Sequence, residues 1–560
     1  MKHIITTLCL LLASVISSFA QETKSPDSIY HIQDSVLIPT KSGIDISATI
    51  VRKQNNTRPV PVILFYTTYY QGENDSFFAK LSADRDYVGV LAYARGIRTN
   101  VKHYAPYENE QADVYDIIDW ISKQEWCNGN VGMYGGSYTG FSQWATVKNV
   151  HPALKTIVPQ VAVMPGYDTP MENNVPMNLG LYWPNDNIYK KEPIRRSLPF
   201  EWFNSGMAWK NLDSLAGYKN EIFQNWLQHP DYDNYWQSLV PTPKEYAKIN
   251  IPVLTTTGYY DGSQIGAVQY FKLHNKYNKN ANHYLVIGPY DHWGGQAKAA
   301  KNLMGYAIDP IANVSMRELA YDWLDYILKG KPKPELLKDK VNYQVMGTNE
   351  WQHSPSLQAI NNDTIRLYLD NKTLTIKKPK KNAFEKQLVN FKDRENQNNY
   401  YTPEIIFDAL DASNGLTFIS KPFEKDFLIN GSFAGNLFAT INKKDTDVSL
   451  ALYELMPNKK YFFLTRYIGR ASYAKDNSKR QLLQPNKKEE IPFYNTRFVS
   501  KKISKGSRLV ILLNINKHPF EIINYGSGKP VSDETIKDAE EHLQIKWHND
   551  SYIEIPIWKN

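Results

Sequence analysis

Residues 130–144 read NVGMYGGSYTGFSQW, and this stretch decides the fold of the first part of the chain. The apolar residues before the paired glycines predict a buried strand, and a helix is predicted to begin directly after Ser137. Ser137 lies in a G-x-S-x-G pattern, with Thr139 in place of the second glycine and Gly140 one position later. A strand-to-helix turn needs small residues because neighbouring backbone passes close on either side, and it presents the serine hydroxyl at the sheet edge. The pattern alone leaves two interpretations, a nucleophile or a structural turn.

Strands and helices alternate on both sides of this turn, between about Val36 and Lys329. The helical spacing is clearest at residues 112–124, where apolar side chains recur at i, i+3, i+4 and i+7. Such an alternation is typical of a mostly parallel sheet covered by helices on both faces. Strands are predicted at 60–66, 87–93, 130–134, 156–163, 251–257 and 283–287, and helices at 112–124, 138–147 and 316–328.

The rest of the chain divides into an insertion and a second domain. Residues 165–248 contain several prolines and no strand pattern, which predicts a helical cap inserted into a sheet domain formed by 21–164 and 249–330. After a linker rich in Lys and Pro, residues 341–560 predict short strands separated by turns, typical of a jelly-roll β-sandwich. Five cap tryptophans are interpreted as its core, with ligand contact as the alternative: Trp183, Trp202, Trp209, Trp226 and Trp236.

The composition excludes several classes of protein. A chain of 560 residues predicts two to four domains, and a hydrophobic content of 42% excludes a largely disordered chain. The formal net charge of +8 is spread along the sequence, so no nucleic-acid partner is predicted. Beyond residue 20 the chain has one cysteine, Cys127, so neither a disulfide nor a zinc site is expected. No metal or other cofactor is predicted, and the sequence makes no prediction of the oligomeric state.

The first twenty residues have the pattern of a secretory signal peptide. Lys2 and His3 precede an apolar run over residues 4–16, and Ser18-Phe19-Ala20 offers a small-x-small cleavage site. The apolar run is too short to span a bilayer, and no later segment reaches about 18 consecutive apolar residues. We therefore expect cleavage after Ala20 and a secreted or periplasmic protein that has no membrane span.

A serine nucleophile needs a base and an orienting acid, which follow a strand-to-helix serine in the order acid, then histidine. Asp261 and His292 each follow a predicted strand, where the sites of parallel sheets lie. Three other histidines fit less well, because they lie in the cap, within a helical run and at the start of a strand: His229, His274 and His283. Asp291 adjoins His292, but a neighbouring side chain starts in another direction, which favours Asp261.

This order of residues turns the serine pattern into a candidate catalytic site. Ser137 is expected to attack an acyl carbonyl, with His292 as general base and then general acid. Asp261 is expected to hold the imidazole. The backbone N–H of Tyr138 and a second donor near the first buried strand are expected to stabilise the oxyanion.

Segments spread over nearly the whole chain carry a family resemblance. They are YARG from Tyr93, WCNGNVGMYGGSY from Trp126, WLQHPDYDNYW from Trp226, GYYD from Gly258, IGPYDH from Ile287, VMGTNEW from Val345 and DTD from Asp445. With these motifs the chain resembles the X-Pro dipeptidyl-peptidase-like hydrolases, which include cocaine esterases, glutaryl acylases and α-amino acid ester hydrolases. The resemblance implies an α/β-hydrolase core, a helical cap and a jelly-roll domain, with the triad on Ser137, Asp261 and His292.

The resemblance also bears on the oxyanion hole and on the substrate. The family takes a tyrosine hydroxyl from an Arg-x-Pro-Tyr segment, which here reads Tyr66-Thr67-Thr68-Tyr69. Tyr69 is therefore implied for the oxyanion hole, with Tyr70 or a packing role as alternatives. The amino-ester branch has acidic residues two and three positions after the catalytic aspartate, where this chain has Ser263 and Gln264. Recognition of a free α-amino group by that device is not expected.

These observations predict an exported serine hydrolase that cleaves the acyl ester or amide bonds of a small-molecule substrate. An Xaa-Pro dipeptidyl peptidase acting on short peptides is the alternative within the same chemistry. A catalytically silent binding protein on the same fold is the alternative from a different class. The complete set of Ser137, Asp261 and His292 favours an enzyme over a silent scaffold.

Overall fold

A ten-stranded mixed sheet is the framework of the computed structural model of the protein, which describes residues 29–72, 75–189, 193–398 and 404–559. The predicted signal peptide, residues 1–20, lies outside the described residues. Within the described ranges, no helix is both long enough and apolar enough to cross a membrane. The strands up to Ser354 are β1 (Tyr30–Ile38), β2 (Ile46–Lys53), β3 (Val60–Thr67), β4 (Val88–Tyr93), β5 (Cys127–Gly136), β6 (Leu154–Gln160), β7 (Met171–Glu172), β8 (Val175–Pro176), β9 (Val253–Gly258), β10 (His283–Gly288), β11 (Asn302–Leu303), β12 (Tyr306–Ala307), β13 (Val341–Val345) and β14 (Glu350–Ser354).

The middle of this sheet is parallel, as the alternation of strands and helices predicted. The strand order is β1-β2-β4-β3-β5-β6-β9-β10-β13-β14. Strands from β4 to β13 pair in parallel, whereas β1, β2 and β14 pair antiparallel at the two sides. Because β5, β9 and β10 run in the same direction, the residues that follow them meet at one edge of the sheet.

Helices cover both faces of the sheet. Successive residues of a strand point to opposite faces, and in β5 the Tyr134 hydroxyl lies 3.0 Å from that of Tyr321, while a Cβ on Gly135 would lie 2.3 Å from Thr139 Cγ2. Tyr321 and Thr139 belong to different helices, so each face has its own helical layer. The α-helices are Phe77–Asp84, Glu110–Ser122, Tyr138–Thr146, Leu179–Pro184, Leu198–Ser205, Leu212–Ala216, Glu221–Leu227, Asn234–Leu239, Pro243–Tyr246, Gln264–Tyr277 and Met316–Lys329.

The segment between β6 and β9 forms short helices and one small hairpin. The hairpin pairs β7 with β8, a detail that the sequence pattern did not indicate. Of the five cap tryptophans, four are buried: Trp202, Trp209, Trp226 and Trp236. Trp183 is half-buried. The cap core interpretation therefore holds for four tryptophans, and Trp183 differs because it faces the candidate site described below.

The C-terminal region is rich in strands, which form a 14-stranded network. Its strands are β15 (Asp363–Asp370), β16 (Thr373–Thr375), β17 (Phe384–Val389), β18 (Ile406–Phe407), β19 (Leu416–Ser420), β20 (Phe427–Ser432), β21 (Ala434–Ile441), β22 (Asp447–Leu455), β23 (Tyr461–Arg470), β24 (Lys488–Phe493), β25 (Phe498–Ile503), β26 (Arg508–Ile515), β27 (Leu543–His548) and β28 (Tyr552–Trp558). Neighbouring strands pair antiparallel except β16 with β19, so the region is a β domain as predicted.

The predicted boundary of this domain, residue 341, is also the first residue of β13. Strands β13 and β14 extend the first sheet, because β13 pairs in parallel with β10 from Leu285↔Val341 to Ile287↔Tyr343. All five residues of β13 are buried. Its sequence resembles the short strands that follow it, and only the pairing partner distinguishes the two sheets.

Gly89 in β4 lies against the helix Phe77–Asp84, where a Cβ would be 2.1 Å from the carbonyl oxygen of Ala79. Gly89→Ala is therefore expected to lower the free energy of unfolding by about 1–3 kcal/mol, because backbone must shift to admit the methyl group. Gly262→Ala is the matched control, since nothing lies within 4 Å of its added Cβ. Chemical denaturation of both variants measures the effect, and equal stabilities would contradict the close packing at Gly89.

Candidate active site

Ser137 occupies a sharp turn between β5 and the helix Tyr138–Thr146. Its φ of +63° and ψ of −123° lie in a region that residues other than glycine rarely adopt. Its N–H donates to the Gln160 carbonyl in β6 at 3.0 Å, and its carbonyl accepts from the amides of Gly140 and Phe141, both at 3.0 Å. The strained backbone is thus fixed from both sides, and the serine lies at the carboxyl end of β5.

The small residues around Ser137 are required by close contacts. A Cβ on Gly140 would lie 2.8 Å from Ala162 Cβ and 2.8 Å from the Gln160 carbonyl oxygen. Thr139 replaces the usual second glycine because its methyl group fills the space that Gly135 leaves, and its hydroxyl donates to Thr67 Oγ1 at 3.0 Å. The departure from the G-x-S-x-G pattern is therefore accommodated by packing.

Asp261 and His292 form a hydrogen-bonded pair at the same edge. His292 Nδ1 lies 2.8 Å from Asp261 Oδ1. Asp261 is completely buried, and it also accepts hydrogen bonds from Thr257 Oγ1 at 2.7 Å and from the Ser263 amide at 2.9 Å. The His292 side chain is 30% exposed. These contacts make Nδ1–H the donor to the carboxylate and leave Nε2 as a proton acceptor.

The alternatives to this pair are engaged elsewhere. Asp291 accepts the backbone amides of Trp293 and Gly294, so it caps the turn after His292, whose Nδ1 is bonded to Asp261 instead. His274 and His283 are buried with their Nδ1 atoms 3.2 Å apart, and burial lowers the pKa of His274 to about 4. His229 pairs with a residue of its own cap, Asp233, at 2.8 Å.

Gln296 joins the histidine loop to the serine turn. Its Nε2 donates to the His292 carbonyl at 2.9 Å, and a Cβ on Gly136 would lie 2.0 Å from its Oε1. The structure thus brings Ser137, Asp261 and His292 to one edge, at the ends of β5, β9 and β10. The role of Gln296 has no signal in the sequence, since a glutamine shortly after the histidine is not part of a local motif.

Tyr69 provides the hydroxyl group beside Ser137. Its oxygen lies 3.3 Å from Ser137 Oγ and accepts a hydrogen bond from Trp183 Nε1 at 3.3 Å. Tyr70, the sequence alternative, instead packs its ring edge-on against Tyr93 at 5.5 Å between centroids. Tyr69 is therefore the hydroxyl donor beside the serine oxygen, and Tyr138, whose amide is the other predicted donor, begins the helix directly after Ser137.

Burial and charge set the protonation of these groups. Burial raises the pKa of Tyr69, so its hydroxyl is a neutral hydrogen-bond donor. Burial by itself lowers the pKa of His292, but the negative charges of Asp261 and Asp291 outweigh it and raise that pKa above 6.5. The imidazole is consequently a stronger proton acceptor than a free histidine.

Glu110 is a buried carboxyl group bonded to Tyr138, and sequence reasoning missed it. It is 2% exposed, its Oε1 accepts the Tyr138 hydroxyl and the Tyr107 amide, and its Oε2 accepts the Asn109 amide. Burial raises the pKa of Glu110 to about 7. An acidic residue in the first turn of a helix is ordinarily exposed, so the sequence carried no sign of this contact.

Two groups of side chains border the sheet edge where Ser137, Asp261 and His292 lie, which we call the reacting edge. Trp183 stands beside Tyr69 and packs on Tyr107, with ring centroids 5.7 Å apart. On the other side a cavity of about 270 Å³ lies next to His292, where Trp293 is 62% exposed. Apolar side chains from both domains line this cavity: Tyr260, Trp293, Met304, Ile405 and Phe463. Among the described residues, no group of three or more His, Cys, Asp or Glu side chains is arranged to hold a metal ion.

Family models match the two main parts of the chain. Residues 42–294 match the model of X-Pro dipeptidyl-peptidase (S15 family). Residues 337–545 match the model of the X-Pro dipeptidyl-peptidase C-terminal non-catalytic domain. The two matches cover most of the sheet domain with its cap and most of the β domain, and the first match includes Tyr69, Ser137, Asp261 and His292.

Individual relatives agree with this assignment. Cocaine esterase of Rhodococcus sp. (strain MB1 Bresler) is 26% identical over 356 residues, which are 58% of this chain and 60% of that protein. An aminopeptidase from a marine sediment Thaumarchaeota archaeon superimposes with a TM-score of 0.81 at 19% identity, covering 96% of this chain and 98% of its own. An α-amino acid ester hydrolase gives a TM-score of 0.79, also at 19% identity and with coverage of 96% and 98%. These two structures share the fold, and the chain belongs to the X-Pro dipeptidyl-peptidase-like family of serine hydrolases.

Proposed function

We propose that the protein is an exported serine hydrolase that cleaves acyl ester or amide bonds through an acyl-enzyme on Ser137. The observation that carries the proposal is the pairing of His292 with the buried Asp261 at the sheet edge where Ser137 lies beside the Tyr69 hydroxyl. Export rests on the signal-peptide pattern of residues 1–20.

The first step is attack of the Ser137 hydroxyl on the acyl carbonyl. His292 Nε2 takes the serine proton as the Oγ–carbon bond forms, and the imidazolium is stabilised by Asp261. The oxygens of Asp261 accept hydrogen bonds from Thr257, Ser263 and His292, which hold the carboxyl group in place. The strained backbone at Ser137 keeps the hydroxyl exposed to the substrate, because a relaxed helix start would turn it away.

The negative charge that develops on the carbonyl oxygen is stabilised by two fixed donors. The Tyr69 hydroxyl and the Tyr138 amide lie on the serine side of the site. Trp183 donates to the Tyr69 oxygen, and the phenol proton, which is donated to Ser137 Oγ at 3.3 Å, is proposed to turn to the adjacent substrate oxyanion. Preorganised donors of this kind cost no reorganisation during the reaction.

Collapse of the tetrahedral intermediate breaks the bond to the leaving group. His292 returns its proton to the leaving oxygen or nitrogen, and a water molecule then hydrolyses the acyl-enzyme by the same base. The apolar cavity next to His292 suits an apolar leaving group, since Trp293 and Met304 expose hydrophobic surface there.

The residues that follow Asp261 favour an acyl ester over a substrate with a free amino group. Ser263 and Gln264 carry no charge, and the Gln264 amide is bonded to the backbone of Phe498 and Gly258. Glu172, which lies close by, is neutralised by Arg497 at 2.6 and 2.9 Å. An Xaa-Pro dipeptidyl peptidase is the second candidate, favoured by the family model that matches residues 42–294.

Ser137→Ala is expected to lower turnover by at least about 10⁴-fold, because no other nucleophile reaches the acyl carbon. The assay compares p-nitrophenyl acyl esters with an Xaa-Pro-p-nitroanilide, using the purified protein from Gln21 onward. Ser137-dependent ester cleavage supports the proposal, and dominant anilide cleavage supports the peptidase. Absence of Ser137-dependent turnover on both substrates would count for a silent scaffold.

Tyr69→Phe is expected to lower kcat by about 10²–10³-fold, because it removes one of two oxyanion donors and keeps the ring. Tyr70→Phe is the matched control and should change kcat by less than about twofold, since its ring packs on Tyr93 away from the serine. Steady-state kinetics on one p-nitrophenyl ester separate the two. Equal effects of the two substitutions would contradict the assignment of Tyr69.

The pH dependence of kcat/KM should follow deprotonation of His292. Because Asp261 and Asp291 raise the pKa of His292, activity should rise with pH through a midpoint above 6.5. Asp291→Asn removes one negative charge, so this midpoint should move to lower pH. Burial raises the pKa of Glu110 to about 7, so Glu110 titrates in the same range. The variant Glu110→Gln shows how much of the pH dependence of kcat/KM comes from Glu110. A midpoint that Asp291→Asn leaves in place would contradict the assignment to His292.

A further inference from the structure

The loop that carries Asp261 is held by the C-terminal β domain. This loop connects β9 to the helix Gln264–Tyr277, and its side chains and carbonyls make several hydrogen bonds across the domain boundary. Tyr260 donates its hydroxyl to the Phe463 carbonyl in β23 at 3.0 Å. We call residues 259–263, between β9 and this helix, the acid loop. Its position depends on contacts with both domains, made by residues far apart in sequence.

Arg497 is the centre of this contact. It directly precedes β25, is 7% exposed, and donates its Nε to the Asp261 carbonyl at 3.4 Å and its Nη2 to the Gly262 carbonyl at 3.2 Å. The same guanidinium binds both carboxylate oxygens of Glu172 in the cap strand β7. Thr465 in β23 donates to the Arg497 carbonyl at 3.2 Å. One side chain therefore joins the β domain, the cap and the backbone of Asp261.

The next residue continues the link. The Phe498 amide donates to Gln264 Oε1 at 2.6 Å, and Gln264 Nε2 donates back to the Phe498 carbonyl at 2.9 Å. Gln264 is the first residue of the helix that follows the acid loop. The Gly262 carbonyl and the Gln264 side chain, on either side of Ser263, are thus both bonded to residues at the start of β25.

We propose that Arg497 is a positioning residue for the reaction, which sets the place of Asp261, and through it the orientation of His292, by fixing the carbonyls of Asp261 and Gly262. This inference rests on the proposed catalytic roles of Asp261 and His292. It gives the β domain a defined part in catalysis, although none of its side chains is assigned to the triad or the oxyanion hole.

The geometry demands an arginine. A guanidinium presents Nε and two terminal nitrogens in a fixed plane, so it meets a carboxylate on one side and two carbonyls on the other. Lysine keeps the positive charge beside Glu172, but one ammonium cannot reach all of these oxygens at once. Arg497→Lys therefore preserves the charge balance and removes the positioning.

The test compares Arg497→Lys with Arg470→Lys. Arg470 is a similarly buried arginine inside the β domain. Its guanidinium forms a bidentate pair with Asp447, at 2.8 and 3.0 Å, and does not bind the loop that carries Asp261. Both variants are made in the full chain and their thermal unfolding is recorded. Arg497→Lys is expected to lower kcat by about 10- to 100-fold, since small displacements of catalytic groups have effects of that size.

Two further readouts separate positioning from a merely structural role. KM is measured as well, because Arg497 also lines the cavity next to His292, and a change confined to KM would indicate a role in substrate binding instead of positioning. A weaker contact between Asp261 and His292 lowers the pKa of His292, so the rise of kcat/KM with pH should begin at lower pH than in the parent protein. Arg470→Lys should leave kcat, KM and the pH profile unchanged.

A double-mutant cycle that combines Arg497→Lys with Asp261→Asn tests whether the loss of kcat in Arg497→Lys acts through Asp261. If Arg497 acts through Asp261, Arg497→Lys should cost less than about twofold more in the Asp261→Asn background. If Arg497→Lys lowers kcat by the same factor in the Asp261→Asn background as in the parent protein, the inference is overturned. Equal kcat values for Arg497→Lys and Arg470→Lys would also overturn it, and neither result would affect the proposed function. Full activity of Asp261→Asn itself would overturn the proposed function and the inference with it.

Gln264→Met provides a second route if Arg497→Lys does not fold. It removes both hydrogen bonds to Phe498 with nearly the same side-chain volume and leaves Arg497 paired with Glu172. A fall in kcat with the same downward shift of the pH profile would support control of the acid loop by the β domain. An unchanged kcat and pH profile would contradict it.

Discussion

The carboxylate of Asp261 is completely buried, and the arrangement of the reacting edge depends on keeping it there. A buried charge is tolerated only where donors satisfy it, and Thr257, Ser263 and His292 supply them. The hydrogen bond between His292 Nδ1 and Asp261 also fixes the tautomer of the imidazole, which is the proposed base for Ser137. Since the carbonyl of Asp261 in turn accepts a hydrogen bond from Arg497, the proposed base His292 is linked through Asp261 to contacts that begin in the β domain.

The parts of the site that the sequence predicted are those with a local pattern. The strand before Ser137 and the helix after it are each signalled by their own residues, and Asp261 and His292 each follow an apolar strand. Parallel pairing then brings three strand ends together without any further information. Tyr69 was reached differently, through a family resemblance, because an aromatic residue after a buried strand has no periodicity of its own.

The parts that the sequence did not predict are long-range contacts. Glu110 behind Tyr138 and Gln296 against Gly136 join separate stretches of chain. Each of these residues is polar, and a polar residue in a helix or loop is ordinarily solvated, so its burial depends on neighbours that only the folded chain supplies. The pairing of β13 with β10 in the first sheet is a similar case, because the residues of β13 alone do not indicate which strand it pairs with.

Charge balance near the acid loop bears on the substrate. The carboxylate of Glu172 is neutralised by Arg497, and although burial favours the neutral acid, this guanidinium holds the pKa of Glu172 below its ordinary value. Asp168 accepts the amides of Met164 and Gly266, both at 2.8 Å. With Gln264 bonded to Phe498, the protein's own donors and acceptors occupy these groups. An ammonium group that bound here would have to displace them, so the proposed preference for an acyl group without a free amine depends on Glu172, Arg497 and Gln264 rather than on the proposed triad.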